Sequence, residues 1–96
     1  MQRQGDLLIV SIKEIPIEAI LQKSRVLAEG EATGHLHLID EKADVFERNG
    51  TLYFRVNSSP AVLRHPEHGA LRFDIGDYKV IRQREFEPAG WRYIRD

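Results

Sequence analysis

Four histidines are the residues of this chain best suited to proton transfer near neutral pH. They fall in two tight pairs, His35-Leu36-His37 and His65-Pro66-Glu67-His68. In an extended strand successive side chains point to opposite faces, so His35, His37 and Ile39 are expected on one face, with Leu36 and Leu38 on the other. A glycine-bounded turn, Gly30 to Gly34, precedes the first pair, and Gly69 follows the second. The expectation is a scaffold that brings the two pairs together, with one of His35 and His37 within reach of one of His65 and His68, either within one chain or across a dimer interface.

Two chemistries suit such a cluster. Without metal, two histidines across a scissile phosphate act as base and acid, because an unperturbed pKa near about 6.5 populates both protonation states at neutral pH. Cleavage of RNA then needs a base for the ribose 2′-OH proton, an acid for the leaving 5′-oxygen, and cations for the charge that builds on phosphorus. Arg64 adjoins His65, and Arg82 and Arg84 share a strand face with Tyr78, so all three are candidate phosphate contacts. Tyr53 and Tyr78 are candidates for stacking on bases or donating to phosphate. This reading makes His35, His37, His65 and His68 catalytic, requires no cofactor, and takes RNA or a cyclic oligonucleotide as partner.

The second chemistry is a cupin-like metal centre in which His35, His37, His65 and His68 are ligands and Glu31 or Glu67 adds an oxygen. A third possibility is a non-catalytic module that binds a nucleotide or a protein. Blander explanations compete throughout. A single histidine often just hydrogen-bonds backbone in a loop, Arg82-Gln83-Arg84-Glu85 would suit a solvated face, and such tyrosines commonly rim a β core.

Composition narrows the field. Ninety-six residues make a single domain, 1–96, able to bury about 65% of its unfolded surface. A net charge of −1 leaves any binding of nucleic acid to a local patch. With no cysteine, disulfides, thiolate zinc sites and cysteine nucleophiles are excluded. The longest apolar run, Leu7 to Val10, is far too short for a membrane span, and no signal peptide is evident. A cytoplasmic protein that does not engage membranes is expected.

The elements that must position the histidines read mostly as strands. Asp6 to Ile12 suits a strand buried on both faces, and Ile15 to Lys23, with Pro16 in its first turn and Ile17, Ile20 and Leu21 as its stripe, suits a short helix. Strands follow at Arg25 to Glu29 and His35 to Ile39. Ala43 to Arg48 and Thr51 to Asn57 flank Asn49-Gly50, the strongest short-range hairpin signal, with Leu52, Phe54 and Val56 facing the core. Ala61 to Arg64, Leu71 to Ile75 and Tyr78 to Phe86 are further strands, and Trp91 to Ile94 a last edge strand. The fold class is therefore mainly all-β: a small β-barrel or β-sandwich of about eight short strands with at most one short helix.

The segments Gly30-Glu31-Ala32-Thr33-Gly34-His35-Leu36-His37, His65-Pro66-Glu67-His68-Gly69 and Gly76-Asp77-Tyr78-Lys79-Val80-Ile81-Arg82-Gln83-Arg84-Glu85-Phe86 resemble one family of small bacterial β-proteins. The resemblance runs from Gly5-Asp6 nearly to the C-terminus. In size and in its histidines and arginines the chain is also similar to the small ring nucleases that accompany type III CRISPR systems in antiviral defence and degrade cyclic oligoadenylates. That similarity implies in-line 2′-OH attack on a cyclic 3′–5′ oligonucleotide, leaving 2′,3′-cyclic phosphate ends. It also implies a homodimer with a two-fold symmetric ligand on its dyad.

Overall fold

The computed structural model describes residues 1–30 and 33–82. Ten strands follow one another: β1 (Gln2–Gln4), β2 (Leu7–Ile12), β3 (Ile20–Gln22), β4 (Val26–Glu29), β5 (Leu36–Ile39), β6 (Ala43–Arg48), β7 (Thr51–Val56), β8 (Ala61–Arg64), β9 (Leu71–Phe73) and β10 (Gly76–Arg82). They form two open antiparallel sheets, ordered β1-β2-β10-β7-β6-β3 and β4-β5-β8-β9. The all-β expectation holds as a two-sheet arrangement. No helix occurs among the described residues.

Alternation of apolar side chains, broken in β4 where Leu27 and Ala28 are both buried at a register shift, explains how the sheets meet. Leu7, Ile9, Val45, Phe54, Val56 and Val80 from the larger sheet pack with Leu27, Ile39, Ala61, Leu63 and Phe73 from the smaller one. Phe54 and Phe73 touch edge to face across the gap, their ring centroids 5.3 Å apart. The β6–β7 hairpin turns at Asn49 (φ 52°) and Gly50 (φ 83°), the left-handed pair that matches strand twist.

Three sequence expectations need correction. Ile15 to Lys23 is not a helix. After Pro16 the chain makes a single turn, Ala19 N–H donating to Pro16 C=O at 3.0 Å, and Ile20, Leu21 and Gln22 then pair with Glu47, Phe46 and Val45 of β6. The supposed apolar stripe, Ile17, Ile20 and Leu21, is exposed. A segment this short cannot offset helix nucleation, whereas the edge of β6 offers ready backbone partners. Next, β2 is buried on one face: Leu7 and Ile9 are in the core while Leu8 and Val10 are half-buried. Finally, the first histidine strand starts at Leu36, leaving His35 just before it. The proposed strand at Trp91 to Ile94 and the 83–86 end of the last long strand lie outside the described residues.

The turn between β1 and β2, Gly5-Asp6, is central to the site. Gly5 has φ +62°, and the β1 strand before it is one that apolar alternation does not mark. Its last residue, Gln4, is 2% exposed and lies where the two sheets approach each other.

Candidate active site

Each histidine reaches the site by a different route. His37 is on β5 beside Ile39, on the buried face of the smaller sheet. His65 and His68 come from the β8–β9 connection, which starts where β8 ends at Arg64. β5 and β8 are hydrogen-bonded neighbours, with Leu38 opposite Arg64 and Ile39 opposite Leu63, so the two pairs meet because their strands do. His35 is carried by the loop before β5, which backbone bonds Gly30 N–H to His35 C=O (2.9 Å) and Gly34 N–H to Gly30 C=O (2.8 Å) close.

The four rings form one cluster with His65 at its hub. Its ring centroid is 4.4 Å from His37, 4.5 Å from His68 and 5.7 Å from His35. His37 and His68 are nearly parallel at 6.4 Å. The expected meeting of the pairs occurs within one chain. His37 is buried, His35 and His65 are half-buried, and His68 is exposed.

Hydrogen bonds fix two of the tautomers. Gln4 Nε2 donates to Leu63 C=O (3.0 Å) and Gly69 C=O (2.9 Å), so its Oε1, 2.8 Å from His37 Nδ1, must accept. His37 therefore carries its proton on Nδ1 and leaves Nε2 bare. Glu67 N–H donates to His65 Nδ1 at 3.0 Å, so neutral His65 carries its proton on Nε2. His35 Nδ1 lies 3.6 Å from Glu67 Oε1, ion-pair range but beyond a hydrogen bond, and it has no hydrogen-bond partner among the described residues.

Charge is placed beside the rings by the other sheet. Asp6 Oδ1 is 4.0 Å from His37 Nε2. Arg82, at the end of β10, approaches Asp6 Oδ2 at 3.5 Å and Glu29 C=O at 3.3 Å. Burial, reinforced by His65, lowers the His37 pKa from 6.5 to about 4, with Asp6 opposing and His68 and Arg82 adding to the fall. Burial, followed by His68 and His35, also lowers His65. Gly5 belongs to the site by default of its side chain. A Cβ there would stand 2.8 Å from His68 Nε2 and 3.5 Å from His37 Cε1.

Of the arginines expected at the site, Arg82 reaches it and Arg64 flanks it. Arg64 is exposed and lines, with His35 and His65, a cleft of about 480 Å³. Arg84, like Glu31, lies outside the described residues. The tyrosines are not brought to the cluster. Tyr78 stacks on Phe54 at 4.9 Å and its hydroxyl donates to Asp74 C=O at 2.7 Å; burial raises its pKa. Tyr53 alternates with the buried Phe54, which puts it on the outer face of the larger sheet. Sequence reasoning missed Gln4, Gly5 and Asp6 as site residues. The available signal was the Gly5-Asp6 dipeptide, a hairpin turn that would have made Gln2–Gln4 a strand of its own.

Among the described residues, no three His, Asp or Glu side chains are arranged to hold a metal ion, and no helix is long and apolar enough to cross a membrane. A family model described as a domain of unknown function, DUF8820, matches residues 3–83. The chain belongs to the DUF8820 family. The matched stretch contains every residue of the cluster, from Gln4 to Arg82. No curated protein and no solved structure matches this DUF8820 chain.

Proposed function

We propose that the histidine cluster is the active site of a metal-independent phosphodiesterase that cleaves RNA or a cyclic oligoribonucleotide by attack of a ribose 2′-oxygen. The observation that carries the reading is the arrangement about His65. Its Nε2–H is left free to donate by the Glu67 amide on its other nitrogen, and His35 and His68 flank it at 5.7 and 4.5 Å. A phosphoryl oxygen docked on that N–H would lie on a ring with two further imidazoles as neighbours.

Each residue then has one task. His68, exposed and without a fixed hydrogen bond among the described residues, takes the 2′-OH proton. The 2′-oxygen forms its bond to phosphorus as the bond from phosphorus to the 5′-oxygen breaks. His35, facing the Glu67 carboxylate, gives a proton to the leaving oxygen. His65 and Arg82 stabilise charge on the phosphoryl oxygens, Arg64 meets a neighbouring phosphate, and Arg84 remains a candidate for the same work. His37 is a positioning residue: neutral and held by Gln4, it keeps another positive charge out of the cluster. The products are a 2′,3′-cyclic phosphate and a 5′-hydroxyl. The protein would work in the cytoplasm, as a homodimer where the substrate is a two-fold symmetric cyclic oligoadenylate.

One observation favours a second reading, a metal-binding protein whose four histidines would have to draw closer together than they stand here to share an ion. His37 presents a bare Nε2 4.0 Å from Asp6 Oδ1 with its Nδ1 held by Gln4, as metal-bound histidines usually are. The deciding experiment incubates the purified protein with RNA and with cyclic oligoadenylate, in EDTA and with added Zn²⁺, Mn²⁺ or Fe²⁺. The phosphodiesterase reading expects cleavage in EDTA and none at a 2′-deoxy or 2′-O-methyl residue. Activity that appears only with metal supports the second reading, and binding without turnover supports a non-catalytic module.

A further inference from the structure

We infer that the cleft beside the cluster is a nucleobase subsite, taking the base of the nucleotide whose phosphate lies on His65. The inference rests on the phosphodiesterase reading and deepens it. The cleft, about 480 Å³, lies on the outer side of the smaller sheet, its walls built from Leu36, Leu38 and Pro66 with His35, His65 and Arg64. That size is in the range of small-molecule sites, which are apolar with a few placed polar groups.

Strand geometry explains why it lies there. Leu36 and Leu38 alternate with the buried His37 and Ile39 and so face outward. Leu38 is directly opposite Arg64 across the β5–β8 pair, which sets an apolar wall and a guanidinium side by side. Arginine stacks on flat π systems and is at the same time a phosphate partner. Leu38 is 41% exposed, an apolar side chain left in water that a base would cover. His35 and His65 belong to both the cleft and the cluster, so a ligand in one is a single residue's reach from the other. A base in the cleft, a ribose at its mouth and a phosphate on His65 follow the covalent order of a nucleotide. The neutral, flat base also matches the apolar walls of Leu36, Leu38 and Pro66 better than a second phosphate would.

The test uses the ¹⁵N-labelled protein and two probes, adenosine, which has a base and no phosphate, and ribose 5-phosphate, which has the reverse. Adenosine is expected to shift the amides of Leu36, Leu38, Arg64 and His65 saturably. Ribose 5-phosphate is expected to shift those of Glu67, His68 and Asp6. Leu38→Asp, at an exposed position, should weaken adenosine about tenfold or more, equivalent to about 1.4 kcal/mol, and leave the ribose 5-phosphate response unchanged. Arg64→Ala is the second variant and should weaken adenosine too. Adenosine shifts that map away from the cleft, or that survive both substitutions, overturn the subsite even if RNA is cleaved. Adenosine binding in the cleft with no cleavage of any oligonucleotide leaves the subsite standing and overturns the phosphodiesterase reading instead.

Discussion

Gln4 Oε1 lies 2.8 Å from His37 Nδ1, a contact that ties the first strand of the larger sheet to the central histidine strand of the smaller one. The amide nitrogen of the same glutamine serves the Leu63 and Gly69 carbonyls, one within β8 and the other just past His68. A single buried side chain thus positions both histidine segments. Gln4→Leu removes three hydrogen bonds and leaves two carbonyls and an imidazole N–H unpaired. It is expected to lower unfolding free energy by about 2–4 kcal/mol, read from urea denaturation, and to release the His37 tautomer, read from the ¹⁵N shifts of its ring.

The lowered pKa of His37 makes stability depend on pH in a definite sense. In the unfolded chain the ring binds a proton below about 6.5, whereas in the fold it stays neutral until about 4. Between those values the unfolded state holds more protons, so stability rises with pH. The folded state should be fully supported above pH 6.5 and lose about 1.4 kcal/mol per unit through the middle of the window as pH falls towards 4. His65, shifted in the same direction, adds to the loss. Urea midpoints from pH 4 to 8 test the slope, and an NMR titration of the His37 ring tests its cause.

Gly5 is the tightest backbone position in the site. Its φ of +62° alone makes Gly5→Ala cost about 1–2 kcal/mol, and the new methyl would stand 2.8 Å from His68 Nε2. His68 is exposed and can swing away, so most of the damage should fall on catalysis. The expected result is a folded protein with a modest drop in thermal midpoint and a loss of kcat comparable to that of His68→Ala.

Proton transfer and phosphate binding should separate in kinetics. His35→Ala or His68→Ala should lower kcat by about 10²–10⁴ with substrate still bound. Arg82→Ala should chiefly raise KM, and the gap from the parent protein should narrow as salt is added, because the lost contacts are charge-assisted. If His68→Ala retains full kcat on RNA, His68 is not the base.

The β strands were largely legible because their signals are local. Alternation marks Phe54 and Val56 as core, and Asn49-Gly50 demands a left-handed pair whatever surrounds it. The misread segment, Ile15 to Lys23, carries an apolar spacing that suits a helix, but its partner is the edge of β6, more than twenty residues away in sequence. Gly5-Asp6 was a turn signal in plain view. That Gln4 would be buried beneath the histidines was not, because nothing local distinguishes it from Gln2.

The amino-acid sequence by itself determined that this chain is all-β, that it carries two tight histidine pairs and no cysteine, and that Arg64 adjoins one of the pairs. Those properties follow from residue type and spacing, which the backbone periods of strand and turn translate directly. Only the tertiary structure decided that His65 is the hub, that His37 is buried and neutral while His68 faces solvent, and that Asp6 and Arg82 close the site while Tyr53 and Tyr78 do not. Protonation, tautomer and access are set by what lies within a few ångströms of each ring. Those neighbours, Gln4, Asp6 and Arg82, are brought there by a second sheet packing on the first.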